Sequence, residues 1–239
     1  MVCATTLGAQ AAKCDLPLQS NPKMLTAGLV FNGVFKPNAT PADKAKSLAS
    51  TVKALTDDVT GFPADAQPSR NFLLGQVLLT WLDQPGTGMI ESRAKLGYTA
   101  NPTGTQDLAL ALDSSWTAIR TAKPACSDSL KLYTNGLWGQ LINKAVNFTN
   151  AQQLDSAELF ARRSLLFDSK QHYAYNIMSN IALVKDDTAA MIEWFNKTIE
   201  VTATSTDTTR PKLRDQTLSN LGALYTNAAA SAEGARRTR

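Results

Sequence analysis

Two stretches of this chain lie 34 residues apart and share one pattern: Ala157-Glu158-Leu159-Phe160-Ala161-Arg162-Arg163-Ser164-Leu165 and Met191-Ile192-Glu193-Trp194-Phe195-Asn196-Lys197-Thr198-Ile199. Both put an aromatic residue at the fourth place and an aliphatic one at the ninth. Sliding the sequence against itself by the same 34 residues also sets Leu141 on Tyr175 and Ala145 on Ser179. Large residues meet large ones and small meet small, with Met191 on Ala157 the poor fit. The apolar positions recur at helical spacing. A fixed period of helical units means a unit that buries its apolar face against its neighbours.

Working outward, residues 127 onward read as helices over about 128–148, 151–167, 171–185, 187–203 and 210–232. The short loops force neighbouring helices into antiparallel pairs. The exception is Thr202 to Thr209, a Thr/Ser/Asp run expected to be exposed and mobile. Towards the N-terminus a short helix runs from Pro22 to Phe35. A second follows Thr40-Pro41 and ends near Asp58. A third, apolar round most of its circumference, runs from Pro68 to Pro85-Gly86. A weaker helix is predicted over Met89–Tyr98, then one capped by Thr105 that reaches Lys123. Strand signals are nearly absent, so the predicted fold class is all-α. Trp81, Trp116, Trp138 and Trp194 fall at apolar helical positions and read as core.

Further stretches carry a resemblance. Leu218-Ser219-Asn220-Leu221-Gly222-Ala223-Leu224-Tyr225 and Phe72-Leu73-Leu74-Gly75-Gln76-Val77-Leu78 are similar to the first helix of the tetratricopeptide repeat, whose period is also 34 residues. The two stretches quoted first resemble its second helix. The small residue at Gly75, Ala145, Ser179 or Gly222 lets one helix approach its neighbour closely, and bulky residues a turn away fill the groove. The chain departs from the family at Met191, at Ser169 where the family has Pro, in the longer connection at 202–209, and across 85–125.

The resemblance implies an α-solenoid of antiparallel helix pairs in a right-handed superhelix. It implies a degenerate helical-repeat portion over 14–126, repeats over 127–232 and a basic tail over 233–239. It further implies that the first helix of each pair lines a concave face. Helix phase then makes Asn143, Asn176, Asn180, Ser219 and Asn220 candidates to hydrogen-bond a partner peptide, with Tyr173 beside them. The alternative is that these are ordinary exposed polar positions. The charged clamp with which some family members grip a terminal carboxylate is not expected, because Ile142, Val146, Asn176 and Asn180 stand at its positions.

Composition allows a folded core. Of 239 residues 44% are apolar and 18% charged, with a net charge of +4. The only histidine is His172, which argues against His-based catalysis and metal sites, and it reads as a cap or packing residue. Asp57-Asp58 and Asp186-Asp187 sit at helix boundaries and read as caps. No P-loop, GxSxG, HExxH or CxxC motif occurs. No enzymatic activity, cofactor or metal is expected. The basic residues do not cluster among aromatics, so no nucleic-acid partner is expected. No stretch has the roughly 20 apolar residues of a membrane helix. The expected partner is a protein or peptide, with self-association as an assembly component the alternative.

Residues 1–13 read as the remnant of a secretory signal ending at Ala9-Gln10-Ala11, or as a disordered segment of small residues. The first reading puts the protein in the periplasm or outside the cell, the second leaves it cytoplasmic. Cleavage after Ala11 would remove Cys3 and leave Cys14 and Cys126 as disulfide partners. The alternative is two separate buried thiols.

Overall fold

Ten α-helices, four short 3-10 turns and one two-stranded ribbon account for the regular structure of the residues that the computed structural model describes, namely 14–17, 21–203 and 210–237. The fold is all-α, as expected. The proposed signal remnant, with Cys3, and most of the Thr202–Thr209 connection lie outside the described residues. The chain divides into two compact units, residues 1–133 and 134–239, and the division falls within α6 (Ser127–Asn150).

In the first unit the helix starts are set by local side chains. The Asn21 side chain accepts the backbone N–H groups of Lys23 and Met24 and opens α1 (Pro22–Asn32). Thr40 and Asp43 cap each other's backbone N–H at the start of α2 (Pro41–Thr56). The central helix is α3 (Gln67–Leu82), packed against α2 and α5 (Leu108–Ala122). Met24, Leu48, Val52, Leu55, Leu73, Val77, Leu78, Trp81, Leu112, Trp116 and Ile119 form the core between these helices. Burying each large side chain contributes roughly 1.5–3 kcal/mol. Arg70 is buried with them. Its Nε donates to the Leu55 carbonyl at 2.6 Å, and its guanidinium lies over the Phe62 ring. Cys14 and Cys126 are joined as a disulfide across 112 positions of sequence.

The helix predicted over Met89–Tyr98 is not formed. Instead β1 (Ile90–Ser92) pairs antiparallel with β2 (Thr105–Asp107), and only the single turn α4 (Arg93–Leu96) is helical. Gly97 ends it in the left-handed region at φ 98°, where a Cβ would overlap the Ala49 carbonyl. Arg93 closes the ribbon. Its Nε donates to the Ala100 carbonyl at 3.0 Å, its Nη1 donates to Gln106 Oε1 at 2.6 Å, and it stacks on Tyr98. A tertiary strand pairing thus overrides a weak helical preference. Thr105 is consequently in a strand, and the cap of α5 is Asp107, whose carboxylate accepts the Leu110 N–H at 3.0 Å.

The second unit holds the rest of α6 with α7 (Leu154–Ser164), α8 (Tyr173–Val184), α9 (Thr188–Ala203) and α10 (Arg210–Arg237). Their contacts show antiparallel pairing. Phe148 near the end of α6 meets Phe160 of α7 with ring centres 5.2 Å apart. Lys185 at the end of α8 bonds Asp155 and Glu158 early in α7. Asn176 early in α8 meets Thr198 late in α9. Asp187 caps α9 through the Ala190 N–H, as its place at a helix boundary predicts. Three details differ from expectation. Thr202 is buried in the last turn of α9, not in the exposed connection, because its hydroxyl bonds back to the Thr198 carbonyl. The helix α10 continues to Arg237 across the segment read as a tail. Trp138 and Trp194 are half-buried, whereas Trp81 and Trp116 are core.

Candidate functional site

Of the side chains predicted to meet a partner, Asn143 on α6, Asn180 on α8 and Ser219 and Asn220 on α10 are exposed. The Asn220 side-chain oxygen accepts from the Gln216 amide on its own helix at 3.0 Å. Asn176 has a different occupation. It is half-buried, and its side-chain oxygen accepts the Thr198 hydroxyl at 3.1 Å, which ties α8 to α9. Tyr173 is half-exposed, lies edge-on to Trp138 and stacks on His172 at 4.1 Å. His172 therefore packs, without capping α8 through its side chain. Beside Asn180 the end of α8 leaves Leu183 and Val184 exposed, an apolar margin that the amide positions alone did not indicate.

The first unit contains a site that sequence reasoning missed. An apolar groove of about 490 Å³ lies between α1 and α3 and is closed by Tyr133. One wall carries Leu25 and Leu29 of α1 and Phe35 of the 3-10 turn that follows it, which remain 46%, 65% and 64% exposed. These are large side chains that the core does not use, and contiguous apolar surface of this kind marks interaction sites. Gly28 stands between the two leucines, and a Cβ there would meet no atom within 4 Å. The α3 wall supplies the polar groups. Gln76 donates its amide to the Tyr133 hydroxyl at 3.4 Å, and Tyr133 is held in place by Phe72 edge-on at 5.7 Å. The arrangement is mostly apolar walls with a few fixed polar groups, at a volume within the usual ~300–1,000 Å³ of ligand sites. The available sequence signal was that α1 is apolar on every side, with Leu25 and Leu29 outward as well as Met24, Ala27 and Phe31 inward.

No family model, curated protein or solved structure matches this chain. Among the described residues no group of three or more His, Cys, Asp or Glu side chains is placed to hold a metal ion. None of the described helices is long and apolar enough to cross a membrane.

The charged cluster of the second unit has a structural occupation. Glu158 accepts from Arg162 at 2.7 Å and from Lys185 at 3.2 Å, and Arg162 lies over the Trp194 ring. Burial works to raise the Glu158 carboxyl, but the hydrogen bonds from Arg162 and Lys185 outweigh it and hold it below the ordinary carboxylate range. The Lys185 ammonium is raised by its bonds to Asp155 and Glu158. These ions link α7, α8 and α9 and satisfy one another.

Proposed function

We propose that this protein is a non-catalytic interaction scaffold that takes apolar side chains of a peptide or protein partner into the groove between α1 and α3. The observation that carries the reading is the groove itself, with Leu25, Leu29 and Phe35 exposed along it and Gln76 and Tyr133 fixed at one wall. An amphipathic helix or an extended apolar segment supplies the complementary surface. On this reading the second unit is a TPR-like solenoid of right-handed sense, supported by the 34-residue period and by the antiparallel pairing of α6 with α7 and α8 with α9. Its exposed Asn143, Asn180, Ser219 and Asn220 offer a second, polar contact surface. The Cys14–Cys126 bridge supports an oxidising compartment, periplasmic or extracellular.

The test fills the groove without touching the core. Gly28→Trp places an indole where an added side chain meets open space, so thermal unfolding is expected to be unchanged. A partner co-purified from the producing cells is expected to be lost by Gly28→Trp and kept by Asn143→Ala/Asn180→Ala. The opposite result moves binding to the amide surface of the second unit.

A second reading is an assembly subunit that joins a larger complex through its repeats. The observation favouring it is the outward apolar side chains Leu218 and Tyr225 on α10.

A further inference from the structure

The helices of the second unit repeat one relationship, and α10 carries only half of it. On α6, Leu141 and Ala145 are 1% and 0% exposed, and α7 lies against that helix through Phe160. On α8, the equivalent Tyr175 and Ser179 are 7% and 3% exposed, and α9 packs on that helix with Trp194 stacked on Tyr175. On α10 the corresponding positions, 43 residues on, are Leu218 and Gly222, with Tyr225 one turn further. Leu218 is 47% and Tyr225 53% exposed, and a Cβ on Gly222 would meet nothing within 4 Å. The neighbouring stripe of α10 is already engaged. It packs on α9, where Thr217 is buried. The stripe at 218, 222 and 225 is turned about 100° from it, as successive helix positions are.

The two complete pairs show what such a stripe takes: a helix with a small or flexible apolar residue followed three positions later by an aromatic one. Ala157 with Phe160 does this on α7, and Met191 with Trp194 on α9. Charge decides whose helix it is. Over α10 the sequence carries Arg210, Lys212, Arg214, Arg236 and Arg237 against Asp215 and Glu233, a net charge of +3, with no charged residue between 216 and 232. A second copy of α10 would bring basic ends against basic ends in either orientation, which opposes pairing. An acidic helix is attracted at both ends.

We propose that the Leu218–Gly222–Tyr225 stripe of α10 binds an acidic amphipathic helix of another protein, which completes the pair as α9 completes α8. The proposal deepens the assembly reading and rests on the repeat relationship within the second unit.

The probe is a fluorescent peptide of this chain's own α9 sequence, residues 187–203, which carries Met191 and Trp194 and a net charge of −2. It is titrated into the whole 239-residue chain and followed by anisotropy. Saturable binding is expected, weakened more than about tenfold by Tyr225→Glu and by Leu218→Glu. A peptide with Glu193→Lys and Glu200→Lys is expected to bind more weakly, and Gly28→Trp is expected to change nothing. Circular dichroism is the folding control, and the α10 variants are expected to keep their helix content. Binding that survives both α10 variants overturns the proposal. So does a dimer by sedimentation that Tyr225→Glu converts to monomer, since the occupant is then a second copy. Preference for phosphatidylglycerol vesicles over the peptide, lost in Tyr225→Glu, also overturns it, since the occupant is then a membrane. Loss of peptide binding in Gly28→Trp alone places the contact in the α1/α3 groove and overturns it too. Failure of the groove test leaves this one intact.

Discussion

Gly75 lies so close to Trp116 that a Cβ at position 75 would stand 2.6 Å from the indole Nε1. The contact joins α3 to α5, and it is the close approach that the small residue in Phe72–Leu78 predicts. Gly75→Ala must push either the ring or the helix away. The cost of such overpacking is about 1–3 kcal/mol, and it exceeds the small gain from better helix propensity. Urea unfolding measures it. Trp116→Phe, which removes the offending part of the ring, is expected to recover part of the loss in the double variant. Purely additive effects would mean that the two residues do not meet.

Two glycines with positive φ separate backbone strain from steric overlap. Gly86 at φ 74° has open space where an added methyl group would stand, whereas at Gly97, φ 98°, that methyl group would overlap the Ala49 carbonyl. Gly86→Ala is expected to cost about 1 kcal/mol for conformation alone. Gly97→Ala is expected to cost on the order of 3 kcal/mol or more, because α4 must also part from α2. Equal melting temperatures for the two variants would contradict this.

The Cys14–Cys126 bridge closes most of the first unit into one loop. Constraining the unfolded chain over a loop of this length contributes on the order of 4–5 kcal/mol. Cys14→Ser is expected to lower stability by that order, and reductant should do the same to the native protein. Alkylation with and without reductant, read by mass spectrometry, reports the bridge directly. Free thiols at both positions in native protein would remove it.

Asn176 and Asn180 occupy one face of α8 but should behave differently. Asn176→Ala loses the bond from Thr198 and leaves that buried residue without its partner on α8, a cost of about 1 kcal/mol. Asn180→Ala removes an exposed amide and should leave the melting temperature unchanged. A stability loss at Asn180 larger than at Asn176 would reverse the assignment.

The ions around Glu158 give a pH dependence with a defined sign. Its carboxyl is held below the ordinary range in the folded protein, so its contribution is present above the unfolded carboxylate pKa. That contribution is lost as pH falls through the depressed folded value. The Lys185 ammonium is raised, so its contribution is complete below the ordinary lysine value and is lost as pH rises through the raised one. Glu158→Gln is therefore expected to flatten the acid limb of a stability profile, and Lys185→Met the alkaline limb. An unchanged acid limb in Glu158→Gln would show that the pairing contributes nothing.

Local chemistry made most of the helices legible. The Thr40–Asp43 capping box, the Asn21-Pro22 start and the Asp187 cap act over three residues, so a reader of the sequence has everything that the chain uses. The 34-residue period was legible for the same reason, since spacing along a helix fixes which side chains share a face. The small residue at 75 could be named, but its partner Trp116 could not.

Contacts between distant segments decided the rest. Residues 90–107 became a strand ribbon because Arg93 and Gly97 meet groups outside their own turn, which no local preference encodes. Asn176 turned from a candidate ligand contact into a helix clasp once Thr198 stood beside it. The groove between α1 and α3 exists because α2 and α3 cover only part of the apolar surface of α1. Sequence distinguishes apolar residues from polar ones, but which apolar residues remain uncovered is a property of the whole packing.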